Sequence, residues 1–332
     1  MINKQIITLL PEHIKKVFIT GGAGFIGSHI IDTLLKYKYQ VIAFDNLSTG
    51  KKCWIEKHLD NKNFQFIQAD ILNLDDVKKS MQGNDLVWHL AANTNIPAGF
   101  TNTELDLKNN VIGTYNVLES MRLNNIQPIL FSSTGAIYGD LCKRNSVTEN
   151  IGPILPVSLY GASKLGCEGF IASYCSLFNL RAWMFRFGNV IGSRMKRGAI
   201  YDFIKKLNRN PAELEILGDG KQEKNYFLVE ECIDGMIYAL KNAKLTDKTP
   251  CDIFNLGSDS ITKVTTIAQL IIEEMKLENV NTYFTGGETG WEGDQPQVHI
   301  LSNKMHELGW HTKHTSDEAV KIAIRRLLKE NE

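Results

Sequence analysis

Along the first half of the chain, short runs of consecutive apolar residues alternate with longer stretches in which apolar positions recur every three or four residues. The short runs fall at 17–20, 41–44, 64–68, 86–90 and 129–132. Apolarity over four or five positions in a row predicts strands buried on both faces. Between them, 26–35, 75–81 and 108–121 carry the spacing of one-sided helices. A helix over 160–178 and a strand at 182–187 continue the series. Alternation of this kind requires right-handed crossovers, and so a parallel sheet with helices on both faces. After Asn189 the pattern changes. Strand candidates at 215–217 and 253–256 mix with helices over 201–207, 231–242, 264–275 and 317–329, which predicts a smaller α/β lobe. No Gly/Ser- or Pro-rich linker separates the two parts, so they are expected to pack tightly around a shared cleft.

Composition narrows this picture. A chain of 332 residues exceeds one simple core and suits a large α/β unit with a second lobe. Formal net charge is zero, so no global field draws the protein to nucleic acid or to an anionic membrane. An anionic ligand must be held by local groups. The six cysteines, Cys53, Cys142, Cys167, Cys175, Cys232 and Cys251, form no Cys-x-x-Cys pair. No metal signature is found, and reduced, mostly buried thiols are expected. Residues 1–15 lack an apolar run of signal length, and no stretch approaches 18 apolar residues. Neither a leader nor a membrane span is expected, which leaves the cytoplasm by elimination.

The first strand runs directly into Thr20-Gly21-Gly22-Ala23-Gly24-Phe25-Ile26-Gly27. Glycines at 21, 24 and 27 let the backbone turn tightly and approach a pyrophosphate, and the following helix start offers free N–H groups. Asp45 ends the second strand, near the spacing at which a carboxylate binds the adenosine ribose hydroxyls. It would repel a 2′-phosphate, and no arginine lies between Gly27 and Asp45, so NAD is favoured over NADP. Asp70, after the third strand, suits either an adenine contact or a helix N-cap before Ile71. The expected fold is therefore a Rossmann-type doubly wound parallel sheet with a smaller α/β substrate-binding lobe. Its expected divisions are an extension at 1–15, an NAD-binding domain at 16–188, and a mainly substrate-binding lobe at 189–332 interleaved with it.

Tyr160-Gly161-Ala162-Ser163-Lys164 places a phenol and an ammonium four residues apart, on one face of a helix. A nearby positive charge favours the phenolate, so Lys164, with oxidised nicotinamide as a second positive charge, is expected to lower the Tyr160 pKa toward the working pH. A second such spacing, Tyr201 to Lys205, occurs by chance composition. Position separates them: Tyr160 follows the fifth strand, whose end carries Ser132-Ser133-Thr134, and Thr134 can hold the reacting oxygen. Tyr201 has no such partner. His89, at a strand end, is read as a packed residue without chemistry.

At these residues the chain resembles the extended short-chain dehydrogenases/reductases, and within them the NAD-dependent nucleotide-sugar epimerases and dehydratases of the UDP-galactose 4-epimerase type. The segments that carry the resemblance are the glycine loop, Phe44-Asp45-Asn46-Leu47, His89-Leu90-Ala91-Ala92, 131–139 and 160–164. The resemblance implies Thr134, Tyr160 and Lys164 as the catalytic set. It implies a cofactor site built from Gly21, Gly24, Phe25, Ile26, Gly27, Asp45, Asn46, Asp70, Ile71, Leu90, Ala91, Ala92 and Asn110 with the catalytic pair. It also implies a nucleoside-diphosphate-sugar substrate contacted by Thr134 and Asn189, and a homodimer formed through the helices at 108–121 and 160–178.

Three departures bear on substrate and outcome. Family 4,6-dehydratases carry Asp-Glu directly after the catalytic threonine, where this chain has Gly135-Ala136, which disfavours elimination of water. An arginine that holds the diphosphate is replaced by Lys224, which keeps charge but loses the bidentate fork. A second arginine is replaced by Trp291, able to stack on a base or sugar. Arg194 and Arg197 are candidates to supply the missing donors. The expected reaction is C4 epimerisation through a transient 4-keto sugar. The alternatives are a 4-dehydrogenase, a 4,6-dehydratase using other acids, and, remotely, a non-catalytic NAD sensor.

Overall fold

The computed structural model describes residues 9–143, 146–291 and 293–330. Six parallel strands follow one another in the first part of the chain: β1 (Lys16–Thr20), β2 (Gln40–Asp45), β3 (Phe64–Gln68), β4 (Leu86–His89), β5 (Pro128–Thr134) and β6 (Arg181–Phe187). Helix α1 (Phe25–Lys36) joins β1 to β2, and α2 (Leu74–Met81) joins β3 to β4. In space the strands run β3, β2, β1, β4, β5, β6. Winding reverses between β1 and β4, and a crevice opens at the carboxyl ends of these strands.

Side chains alternate across the sheet, as strand geometry requires. Val17, Ile19, Leu86 and Trp88 face one helical layer, which includes Ile30 and Leu34 of α1 and Met236 of the helix Val229–Asn242. Phe18, Val87 and Phe131 face the other layer, with Val77 of α2 and Ile171 of the helix Leu159–Phe178. Each such side chain is fully buried, worth about 1.5–3 kcal/mol apiece in removal from water. The smaller lobe has its own core, where Phe203, Ile267, Ile271, Val320 and Ile324 pack together.

Two features differ from the sequence reading. Cys251–Leu256, expected in the smaller lobe from its 253–256 run, joins the large sheet as a seventh strand, parallel to β6. A short apolar run does not encode which sheet it joins; here Phe254 stacks on Phe185 of β6 with ring centroids 5.9 Å apart. The described part of the expected N-terminal extension is not separate either. Leu10 and Ile14 are buried in the first core, and the Leu10 amide donates to the Tyr39 hydroxyl at 2.8 Å; residues 1–8 lie outside the described part. Among the described residues no helix is long and apolar enough to cross a membrane.

The helix expected at 108–121 is compound. Glu104–Asp106 runs into a π-helical turn, Leu107–Ile112, and then into the α-helix Gly113–Leu123. The wider turn rotates Asn110 into the interior beside β4 and the helix Leu159–Phe178, a placement typical of π-turns at functional sites.

Candidate active site

The loop after β1 brings the backbone against β4. Gly21 has φ 68°, and a side chain there would come within 2.9 Å of the Ala91 amide nitrogen, so only glycine fits. Gly24 starts α1 with no side-chain cap. The first-turn N–H groups of Phe25, Ile26 and Gly27 therefore stay available, with the positive end of the helix dipole behind them. These residues line a cavity of about 360 Å³ at the sheet's carboxyl edge. Asp45, Asn46, Ile71, Leu90, Ala91, Ala92, Tyr160 and Lys164 share its wall. An uncapped helix start facing a carboxylate at the end of β2 fits the pyrophosphate and ribose of a dinucleotide.

Asp45 accepts the amides of Ala23 (3.0 Å) and Leu47 (2.8 Å), and burial raises its pKa. Asp70 is not part of the cavity wall. It accepts from the Asn46 side-chain amide (2.9 Å) and the Leu72 amide (2.9 Å), and the N-cap of α2 is Asn73. Asp70 thus holds a turn, and the N-cap role considered for it falls to Asn73.

The residues expected to be catalytic come from β5 and the helix Leu159–Phe178, whose start is capped by Ser158 Oγ accepting from Gly161 (3.1 Å). Thr134 is close enough to the Tyr160 phenol to favour its ionised form. The Lys164 ammonium is buried, donates to the Ser132 carbonyl oxygen at 2.7 Å, and lies 4.7 Å from the centre of the Phe131 ring. Burial lowers the Lys164 pKa to about 8. Burial also pushes the Tyr160 phenol up to about 12, opposed by the neighbouring Thr134 side chain and assisted by the Asp106 charge. Taking the phenolate out of water outweighs the neighbouring groups of the protein, and a further positive charge is needed.

Behind this pair lie groups that sequence reasoning missed or misplaced. Asn110 does not line the cavity. Its amide nitrogen donates to Ser163 Oγ (2.8 Å) and Asp106 (3.2 Å), and its oxygen accepts the Asn93 amide (2.8 Å). These bonds tie it to the helix that carries Tyr160 and Lys164. Ser133 Oγ donates to Glu168 (2.5 Å), which is paired with Arg186 (2.7 Å); both ion-pair partners are at least 95% buried. Arg186 reaches on to the Tyr138 hydroxyl (3.1 Å), which donates to Asn255 (2.6 Å). Removing one partner of such a pair typically costs about 3–5 kcal/mol. The signal was present: Glu168 lies four residues beyond Lys164, on the same helix face as Tyr160.

The four proposed substrate contacts other than Arg194 lie outside the cavity wall. Those four are Thr134, Asn189, Lys224 and Trp291. Asn189 lies on the strand Asn189–Ile191 and donates to the Asn225 carbonyl (3.3 Å). Lys224 is paired with Asp294 at 2.9 Å, and Trp291 is half-buried. Arg194 does line the cavity, with φ 67°. It belongs to the side of α1, since its guanidinium pairs with Asp32 of that helix at 2.6 Å and the Ser193 carbonyl meets His29 at 3.0 Å. Gly135 and Ala136 follow Thr134, and the Ala136 amide donates to Thr134 Oγ1 (3.1 Å).

A doubly wound sheet with an uncapped glycine-rich helix start at its switch point and a Tyr-x-x-x-Lys pair beside the fifth strand defines a dinucleotide-dependent dehydrogenase-type protein. The model of the NAD dependent epimerase/dehydratase family matches residues 17–257, and the chain belongs to that family. It is 33% identical to a putative UDP-glucose 4-epimerase of Methanocaldococcus jannaschii, over 95% of this chain and 99% of the relative. It is 28% identical to the human dTDP-D-glucose 4,6-dehydratase, over 93% and 89%. Among solved structures, a UDP-galactose 4-epimerase superposes with TM-score 0.84 at 33% identity, covering 95% of this chain and 99% of that one. The Thermotoga maritima UDP-glucose 4-epimerase with UDP-glucose superposes with TM-score 0.83 at 28% identity, covering 96% and 100%.

His89 is held between Thr20 Oγ1 (2.6 Å) and Thr114 Oγ1 (3.0 Å), and burial, then the Lys164 charge, lower its pKa to about 3. An unfolded histidine protonates near 6.5. From that value down to about 3 the unfolded chain binds the extra proton, so acid favours unfolding by about 1.4 kcal/mol per pH unit from this group. Denaturant titrations at pH 7.0 and 5.5 should show this loss in the wild type and a smaller one in His89→Gln. Equal losses in the two proteins would contradict the assignment.

Proposed function

We propose that the protein interconverts C4 epimers of a nucleoside-diphosphate sugar, with NAD as its resident cofactor. The reading is carried by Tyr160 and Lys164 in the wall of the dinucleotide crevice, with Gly135-Ala136 after Thr134, which supply no acid for elimination. The epimerase relatives support it. The open α1 start accepts the pyrophosphate and Asp45 the ribose. When bound, oxidised NAD supplies a hydride acceptor that later returns the hydride, and a positive charge that favours the phenolate.

Thr134 holds the C4 oxygen of the sugar. Tyr160 takes the hydroxyl proton as the C4–H bond breaks, and the Lys164 ammonium stabilises the resulting phenolate. The keto sugar turns over within the cleft, and Tyr160 returns its proton to the oxygen as C4 is reduced on the opposite face. The cofactor is regenerated in each turnover. A panel of UDP-, dTDP-, GDP- and CDP-sugars followed by NMR should give an inverted C4 centre without rise in absorbance near 340 nm. A keto product with NADH accumulating, or a deoxy-keto product, would move the assignment to dehydrogenase or dehydratase. Tyr160→Phe should lose about 10²–10⁴ in kcat while keeping its NAD. Unchanged turnover would remove Tyr160 from the chemistry.

The same reading includes a homodimer in the cytoplasm. The helices Gly113–Leu123 and Leu159–Phe178 expose Tyr115, Leu123, Phe170, Leu177 and Phe178, with Leu177 72% exposed. This concentration of apolar side chains on two adjacent helices suits a four-helix contact across a two-fold axis. The six free thiols suit a reducing compartment. Light scattering should give twice the chain mass, and Phe170→Glu with Leu177→Glu should give a monomer. A monomeric wild type would overturn the dimer.

A further inference from the structure

An anionic substrate at this site needs cations, and the basic side chains nearby are not equally available. Lys224 occupies the position from which a family arginine is expected to hold the diphosphate. Its ammonium is paired at 2.9 Å with the buried Asp294 carboxylate, whose other oxygen accepts the Gly290 amide at 3.2 Å. A phosphate brought to this ammonium would also meet the buried carboxylate beside it, so the pair offers an anion no net positive charge. Position 291 offers tryptophan and no charge. Arg194 is held against α1 through Nη2 on Asp32, with its Nη1 buried and unpartnered, and Lys164 donates to the Ser132 carbonyl beside the Tyr160 phenol.

Lys196 and Arg197 remain. Both line the same cavity as Tyr160 and the glycine loop. Among the described residues neither has a carboxylate within ion-pair distance; Lys196 instead lies 5.3 Å from the centre of the Tyr201 ring. The turn that carries them is held at one end by His29 on the Ser193 carbonyl (3.0 Å) and by Glu330 on the Arg194 amide (2.9 Å). At its other end Gly198, with φ 93°, opens the eleven-residue helix Ala199–Arg209 without a side-chain cap. Two unpaired cations and an uncapped helix start thus lie next to one another in the chain, beside a wall whose other anion site belongs to α1.

Resting on the nucleotide-sugar reading, we propose that Lys196 and Arg197, and not Lys224, bind the diphosphate of the substrate. The cation task has moved from the second lobe's small sheet to the turn after Asn189–Ile191, and the Lys224–Asp294 pair has become structural. Tyr201, set aside as a chance partner in a Tyr-x-x-x-Lys spacing, gains a role here as the surface that carries the Lys196 stem.

The test is calorimetric titration of the NAD-loaded protein with UDP, dTDP, GDP and CDP, using the nucleotide that binds wild type best for the variants. Lys196→Gln and Arg197→Gln should each raise Kd about tenfold, as expected for loss of one charge-assisted contact. The double variant should also lose most of the salt dependence of binding. Bound NAD, read from the absorbance of the released cofactor, should stay at the wild-type level. Variants that bind the nucleotide as wild type does would overturn the proposal, most directly if Lys224→Gln loses binding instead. Loss of NAD with unchanged nucleotide affinity would also overturn it, by assigning the two cations to the cofactor. A wild type that binds none of the four nucleotides would overturn the nucleotide-sugar reading itself, an outcome distinct from the others because it precedes any substitution.

Discussion

Lys164 is an ammonium taken almost wholly out of water, and much of the site is arranged around that burial. Its hydrogen bond to the Ser132 carbonyl and the face of Phe131 replace part of the lost hydration. The same low dielectric that lowers its pKa raises that of Tyr160, so the two groups are set against each other until another charge enters. Oxidised nicotinamide beside the phenol would add a positive charge that favours the phenolate.

Holding that pair still requires a rigid surround. The π-helical turn at Leu107–Ile112 places Asn110 against Ser163, one residue before Lys164. The Glu168–Arg186 pair ties the same helix to β6 and, through Ser133, to β5. These interactions fix the distance between Thr134 and Tyr160 from two sides. They are buried and polar, so they specify one arrangement where an apolar core would tolerate several.

The sheet was largely legible in the chain, because each strand is a short apolar run and each crossover a helical pattern. The strand Cys251–Leu256 was seen but misassigned, since partner choice depends on β6 packing some 70 residues away. The glycine loop, Asp45 and Tyr160–Lys164 were legible because local spacing carries their chemistry. The contacts of Asp70 with Asn46 and of Asn110 with Ser163 were not legible, because only the folded backbone sets those directions. The neutralisation of Lys224 by Asp294 was invisible for the same reason: the two are 70 residues apart. Where the chain departs from its family pattern, the folded charge balance decides what the departure means.

In the proposed reaction Tyr160 and NAD oxidise and re-reduce the same C4 carbon without releasing the sugar. The most direct measurement is turnover, by the NAD-loaded protein, of its nucleotide sugar carrying deuterium at C4, with products analysed by NMR and mass spectrometry. The C4 configuration should invert with the deuterium still on C4 and no exchange with solvent. Inversion with loss of deuterium to solvent, or deuterium recovered on free NADH, would contradict it.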